Sequence, residues 1–479
     1  MDKKKVILYG CGKRCQVILD ILAESNMAVV YIIDSNSNKW GEYFGGYVVS
    51  NPSCLLDKQI NSLLCITVAD EKCKNEIRTA IKSINNEILI NEVEYFDLIK
   101  MLCIQISERY AIEGKIKRIT SNIPTVLFDC YFGLGLGGIE EWTKELCTEF
   151  VRQGREKSFI ITSYGEYDIS DVLQDKIIFR DVIGEQNSIK IISDIIKKNM
   201  PCTVITSQLD IVFFAACMLK KIYPNSIRII SVVHGGCEEN YMGYPKFRES
   251  IDLYIGVSED IQNALRKRGV NPQKTLHMTC PIKSDEVLIR KYTTDCQKPL
   301  VLGYAGRIEI EQKRIDLIIK LICILEEKKI NYKFKIAGEG RATSLLNEFI
   351  NNNSLNNKVN YLGKIDRLAI SDFWKSIDVC INVADYEGRS ISIMEAMANG
   401  AVPIVTHTSG VKEDITDNEN GFIVPVGDVY KIAEKVEEVC SDRSKLKEFG
   451  EKSHDIITSK SKMCVHIKFW NEVLNKVWL

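Results

Sequence analysis

The chain carries almost no net charge. Lys plus Arg number 63 and Asp plus Glu 64 over 479 residues, so no overall field draws it to nucleic acid or to an acidic membrane. It also has no long hydrophobic run. The longest, IVFFAACML at 211–219, is far short of the ~18–20 residues that a membrane-spanning helix needs. The basic start, MDKKKVILYGCGKR, is broken by glycine and charge from Gly10 on, which fits a strand and turn rather than a signal peptide. No C-x-x-C occurs among the 17 cysteines. Odd in number and scattered through apolar segments, as at Cys65, Cys217 and Cys380, they read as small buried hydrophobes of a reducing compartment, not as a disulfide framework or a zinc site. Low-complexity tracts and coiled-coil heptads are missing too.

What is present is a repeated theme. Hydrophobic residues make up 45% of the chain, enough for several buried cores. Three times an apolar strand runs into glycines and then a helix: KVILYGCGKRCQVILDIL (5–22), TVLFDCYFGLGLGGIEEWTKEL (125–146) and LVLGYAGRIEIEQKRIDLIIKLICIL (300–325). Each opens a stretch where β-branched runs alternate with amphipathic helices, the pattern of parallel sheets with crossover helices. The expected fold class is therefore α/β with three Rossmann-like units. They span 1–112, 124–285 and 286–460, with a polar linker at 113–123. In 461–479, Met463, Ile467, Trp470, Leu474 and Val477 recur at helical spacing, which predicts a C-terminal helix with one buried stripe.

Glycine after a strand lets a ligand approach the backbone, and the helix that follows offers unpaired N–H groups to an anion. Three such loops occur in the later units: GLGLGG (133–138), YAGR (304–307) and AGEGR (337–341). In an open parallel sheet these turns lie at the carboxyl ends of strands, where ligands bind. Arg307 and Lys313 follow the second loop and could converge on a diphosphate; taken alone, they read rather as solvated basic residues. In EGRSISIMEAMANG (387–400), Glu387 and Glu395 lie eight positions apart. If Ser390 caps the helix, they are ~12 Å apart along it, close to the span from the sugar of a nucleotide-sugar to its ribose.

At this point the residues resemble a known family. The Glu387–Glu395 segment is similar to the E-x7-E segment of retaining glycosyltransferases of the GT-B fold, in the glycogen-synthase-like family 4. Five further segments resemble the family in order: GGIEEWTKEL (137–146), GVSEDIQNALRKRG (256–269), GRIEIEQKRID (306–316), IAGEGRATSLL (336–346) and SGVKEDITDNENGFIVPVGD (409–428). The resemblance implies a two-domain transferase over 124–479 with a cleft between its lobes and a C-terminal return helix. It implies that Arg307 and Lys313 hold the donor diphosphate, that Glu387 contacts the donor sugar and Glu395 the ribose, and that His234 lines the sugar pocket. Gly137, Gly138, Gly338, Gly340, Gly388, Arg389, Ser390 and Ile391 complete the implied substrate-binding set. The implied reaction moves a hexose from a nucleotide-sugar, a UDP-sugar first among the donors, to a hydroxyl of a glycan or lipid-linked glycan, with the anomeric configuration kept. No convincing D-x-D motif anchors a metal, so no metal or other cofactor is expected. Surface-polysaccharide synthesis in the bacterial cytoplasm is the implied setting, with ALRKRG (264–269) a candidate peripheral membrane contact. Two departures stand out: EGRS replaces the usual E-G-F-G, and TCPI (279–282) replaces an N-G turn.

The first unit resembles the nucleotide-binding N-terminal domain of bacterial sugar O- and N-acyltransferases, without their hexapeptide repeats. Gly10 and Gly12 begin a dinucleotide-type fingerprint, Cys15 stands where its third glycine belongs, and Asp34 ends the second strand. Three readings stay open: a nucleotide or nucleotide-sugar site, a docking module without ligand, and an NAD-dependent domain. For the whole chain, a nucleotide-sugar epimerase, a phosphorylase and a non-catalytic nucleotide-sugar-binding protein are the alternatives.

Overall fold

In a computed structural model, the protein is described at residues 4–56, 61–113, 124–130, 133–135, 137–162, 170–179, 188–283, 285 and 287–479. The expected linker lies outside these residues apart from Glu113, as does Leu136 in the first glycine loop of the later units.

Three sheets confirm the expected α/β class. The first holds β1 (Lys5–Tyr9), β2 (Ala28–Ile33), β3 (Tyr43–Phe44), β4 (Tyr47–Ser50) and β5 (Leu63–Ile66) in the order β3-β4-β2-β1-β5. The second holds β6 (Thr125–Asp129), β7 (Ser158–Thr162), β8 (Ile177–Phe179), β9 (Cys202–Thr206), β10 (Ile227–Val233), β11 (Leu253–Gly256) and β12 (Thr275–His277), ordered β12-β11-β10-β9-β6-β7-β8. The third holds β13 (Leu300–Ala305), β14 (Tyr332–Ala337), β15 (Val359–Tyr361), β16 (Val379–Asn382), β17 (Val402–Thr406) and β18 (Phe422–Val424), ordered β15-β14-β13-β16-β17-β18. Among the described residues, only the β3–β4 hairpin pairs antiparallel. Central strands such as β6, β9 and β17 are buried at every position, because helices cover both faces of a parallel sheet and leave no solvated side.

The first unit does not hang on a tether. One face of its sheet, with the helices there, forms one continuous apolar core with the second unit, while the other face has a core of its own. The Tyr95–Glu113 helix packs on the Ile211–Ile222 helix, and Phe96 and Leu209 crowd the space over Gly243. Polar contacts frame the seam: Arg14 meets Glu239 at 2.8 Å, and Lys246 meets Asp97 at 2.7 Å. Arg14 also lies over the Tyr95 ring, 4.7 Å from its centre.

The expected last helix runs Met463–Lys476 and buries His466, Ile467, Trp470, Val473 and Leu474. It returns to the second unit, where Trp478 Nε1 donates to Thr203 Oγ1 (2.8 Å) and Arg228 Nε donates to the Val477 carbonyl (2.6 Å). The two passages between the second and third units lie side by side, since the Ile282 N–H donates to the Ser461 carbonyl at 2.9 Å.

Candidate functional site

The loops after β10, β13 and β16 and the helix after β6 meet between the second and third units. Arg307 and Lys313 both follow β13, ahead of the Ile315–Glu327 helix rather than within it. Lys313 Nζ forms an ion pair with Glu387 Oε1, and only 14% and 9% of the two side chains remain exposed. Gln312 Nε2 donates to the Tyr386 carbonyl (3.0 Å) and lies 3.5 Å from Glu387 Oε2. Arg307 is held by Gln312 Oε1 (2.5 Å) and Glu309 (2.9 Å) and keeps 55% of its side chain exposed. The cluster thus gathers both predicted cations around Glu387 and adds Gln312, which the sequence reading missed.

Behind it, Arg314 takes the left-handed conformation at φ 54°. Its guanidinium grips both oxygens of Asp385 at 2.9 Å and Asp316 at 2.8 Å. That brace ties the β13 loop to the residues just before Glu387.

The facing wall comes from the second unit. Gly137 stands at the N-cap of the Gly138–Arg152 helix, and Gly138 faces Ile391, whose Cδ1 is 3.0 Å from where a Cβ would sit. Glu140 folds back over Gly137. Burial raises the Glu140 carboxyl above its ordinary range, against a hydrogen bond from its own N–H and the charge of Arg307. The corner beside Gly137 therefore already holds a carboxyl group.

His234 follows β10. A Cβ on Gly388 would fall 1.7 Å from the His234 carbonyl oxygen, so only glycine allows the two lobes to touch there. The His234 ring stacks edge-on against Trp142 at 4.8 Å, and its Nε2 lies 3.4 Å from Ser207 Oγ. Burial lowers its pKa to about 3, so the imidazole is neutral at working pH. Trp142 and Trp470 both donate their indole N–H to His466 Nε2 (3.2 and 3.1 Å), which joins the return helix to this wall.

At the other end of the helix Ile391–Ala398, Glu395 is buried and paired with Arg367. Burial raises its pKa, with Arg367 opposing. Arg367 also lies 4.0 Å from Glu141 across the lobes, so this end of the cleft is already bridged.

Several expected residues play other parts. Ser390 occupies the N-cap position, but its hydroxyl makes no cap hydrogen bond and instead lies 3.5 Å from Asn382 Nδ2. Arg389 is buried and committed to Asp414 and Glu413 rather than left free for a sugar. Gly338, at φ +130°, lies against the Gly306 carbonyl, and Gly340 against that of Ile308. Both glycines let one loop backbone cross another, a role internal to the third unit. In the basic stretch 264–269, Arg266 is bound to Thr275 and Arg268 to Glu238.

In the first unit, Gly10 is at φ +105° and Gly12 is the N-cap of the Lys13–Leu22 helix, with open space above it. Asp34 is occupied by its own surroundings: it accepts from the Cys11 N–H (3.0 Å), the Asn36 N–H (2.9 Å) and Lys39 (3.2 Å). Burial alone would raise its pKa, but these bonds outweigh burial and lower it. Among the described residues, no group of three or more His, Cys, Asp or Glu is arranged to hold a metal.

Two parallel α/β lobes facing across a cleft, with a helix that returns from the second to the first, define the GT-B architecture. Anabaena HepE in complex with UDP-glucose shares it, with a TM-score of 0.59 and 14% identity over 74% of this chain and 99% of that one. Residues 288–455 match the family described as Glycosyl transferases group 1, and residues 2–92 match one described as C2185-like, N-terminal. Among curated proteins, the N-acetyl-alpha-D-glucosaminyl L-malate synthase of Bacillus anthracis is 21% identical over 50% of this chain and 66% of its own length. The poly(ribitol-phosphate) alpha-N-acetylglucosaminyltransferase of Staphylococcus aureus is 26% identical over 40% of this chain and 38% of its own length. The chain thus spans less than two thirds of either relative.

Proposed function

We propose that the protein is a retaining glycosyltransferase of family 4 type, which moves a sugar from a UDP-sugar to a hydroxyl of a glycan or lipid-linked glycan in surface-polysaccharide synthesis. The observation that carries this reading is the Lys313–Glu387 pair in the interlobe cleft, with Arg307 beside it and the glycine-started helix of the second unit opposite. As the donor breaks, negative charge grows on the departing diphosphate and positive charge on the sugar ring. Fixed cations and backbone dipoles can stabilise the first without reorganising. Lys313 and Arg307 supply the cations, and Glu387 accepts from sugar hydroxyls and keeps Lys313 aimed. Glu395 accepts from the ribose once Arg367 lets go of it. His234, neutral, lines the sugar pocket. This chemistry needs no metal, and turnover in EDTA is expected to match turnover without it.

Two of the related proteins above carry N-acetylglucosaminyl in their names, and HepE is seen with UDP-glucose, which supports a UDP-sugar donor. For residues 1–112 the docking reading is favoured by the shared core and by Asp34's full set of local partners. A cytoplasmic setting is supported by the 17 free thiols. Among the described residues no helix is long and apolar enough to cross a membrane.

The test is a donor screen. UDP-, GDP- and ADP-sugars are offered with an acceptor panel, nucleotide release is measured, and the product's anomeric configuration is read by NMR. Release from a UDP-sugar with configuration kept is expected. Conversion of the donor to an isomer with no acceptor present would instead make the protein an epimerase, and binding without any turnover a sensor.

A further inference from the structure

Arg389 stands where the family pattern has an aromatic residue, directly after the Glu387–Gly388 turn. Its side chain is 3% exposed, and it is ion-paired to Asp414 (5% exposed) and, at 2.7 Å, to Glu413. The same guanidinium reaches toward the second unit, 3.5 Å from the Val257 carbonyl and 3.5 Å from His277 Nε2. Glu413 is shared in turn: one oxygen lies 3.0 Å from His277 Nε2, and the other accepts the Glu259 N–H at 2.8 Å. Two further bonds close the seam, Ser258 Oγ to Ser409 Oγ (2.8 Å) and the Gly410 N–H to Asp260 (3.2 Å). Lys460, at the end of the Ser444–Lys460 helix, donates to the Glu413 carbonyl at 2.6 Å. Residues 257–260 and 277 belong to one lobe and residues 389 and 409–414 to the other.

Net stability is a poor reason for such a cluster. Charges taken out of water lose about as much in hydration as they regain by pairing, and a well-packed apolar substitute often does as well. What a buried guanidinium gives is geometry: its rigid planar fork holds its carboxylates in fixed directions, which a lysine's rotatable ammonium does not and an aromatic ring cannot. Here the carboxylates fix Arg389 within its own lobe, and Glu413 carries the link to the other, where it accepts the Glu259 N–H and lies 3.0 Å from His277 Nε2; the Val257 carbonyl stands 3.5 Å from the guanidinium. The residue so fixed adjoins Gly388, whose backbone already lies against His234, and is two positions from Glu387.

We propose that Arg389 is a positioning residue that carries lobe closure to the site: with the clasp shut, the Glu387–Gly388 turn is held against His234, and Glu387 and Lys313 face the sugar; with it open, the nucleotide still binds the third unit but transfer fails. This rests on the transferase reading above.

The test uses the full chain with Glu413→Gln and Arg389→Lys. Glu413→Gln removes the charge shared across the lobes and leaves the Arg389–Asp414 pair in place. It is expected to keep UDP affinity within about two-fold and to lower the thermal midpoint only modestly, because Asp414 still pairs Arg389, while kcat falls at least ten-fold and small-angle scattering reports a less compact particle. Arg389→Lys, which keeps the charge but loses the fork, is expected to fall between Glu413→Gln and wild type. Wild-type kcat in both variants would overturn the proposal. So would a loss of kcat matched by equal losses in UDP affinity and thermal midpoint, since that would make Arg389 a donor ligand or a folding residue. Should wild type itself neither bind UDP nor turn over, the transferase reading fails. Scattering then decides the clasp alone: an expanded Glu413→Gln supports it, and an unchanged one overturns it.

Discussion

Gly388→Ala tests how closely the lobes must approach. The new Cβ would lie 1.7 Å from the His234 oxygen, 2.5 Å from its carbonyl carbon and 3.1 Å from the Gly235 nitrogen. All three are backbone atoms, so no side chain can swing aside. Ordinary contact begins near 3.4 Å, which means the two backbones must part by about 1.7 Å. Each lobe has its own apolar core, and the separation is met by moving one lobe against the other rather than by unfolding either. A displacement of ~1 Å at reacting groups costs on the order of 10²-fold in rate, about 2.7 kcal/mol of barrier. The expected result is a kcat at least about 10²-fold lower, with the thermal midpoint and UDP affinity close to wild type. Gly236→Ala is the graded control: its Cβ would meet the Glu387 carbonyl at 3.2 Å, a clash relieved by tenths of an ångström, so its loss should be much smaller. Calorimetric UDP titration, differential scanning calorimetry and initial rates on the two variants decide the matter. Full turnover in Gly388→Ala would refute the closed contact as a requirement for reaction, and a collapsed midpoint would refute the independence of the lobes.

Three other expectations follow from the same geometry. Lys313→Met and Glu387→Gln should each lose about 10²–10³-fold in kcat and also stability, because each strands a partner in a largely buried pair; the double variant should recover midpoint but not rate, as a melting series alongside activity would show. Gly338→Ala puts a Cβ 1.8 Å from the Gly306 carbonyl at φ +130°; since both residues are in the third unit it should appear as lost stability, beyond the ~1–3 kcal/mol of ordinary backbone strain, in chemical denaturation. Burial holds His466 at a pKa of about 3, below the ~6.5 of an exposed histidine. Its neutral form therefore contributes fully above pH ~6.5, and its share of the stability falls by about 1.4 kcal/mol per pH unit as the pH drops from there toward 3, beside a like share from His234. Melting curves against pH should become shallower by that share in His466→Gln, with the His234 share left in place.

The alternation of apolar strands and helices made three units legible, and the spacing around Arg307, Lys313 and Glu387 was enough to bring those side chains into one cluster. The rest depended on tertiary placement. Arg389 reads in sequence as part of a sugar-binding turn, yet its partners come from 24 and 25 positions later and from the end of β12, 112 positions earlier; no local pattern encodes such a meeting. Gly338 and Gly340 read as ligand-facing because a glycine that admits a phosphate and one that admits a neighbouring carbonyl look alike in sequence. Arg367 gave no signal, being an ordinary basic residue after a turn. In the first unit the partial fingerprint was visible, but the face on which Tyr95, Phe96 and Arg14 join the second unit was not, since amphipathic helices of this kind cover any sheet.

The paired passages at Ile282 and Ser461 bear on how the two lobes can move. Two joints set apart would clamp the slot from both sides. Two joints a single hydrogen bond apart behave as one pivot, and everything far from it swings as on a door. On the proposed transferase reading, an acceptor too long to be enclosed would trail outward at the margin away from that pivot.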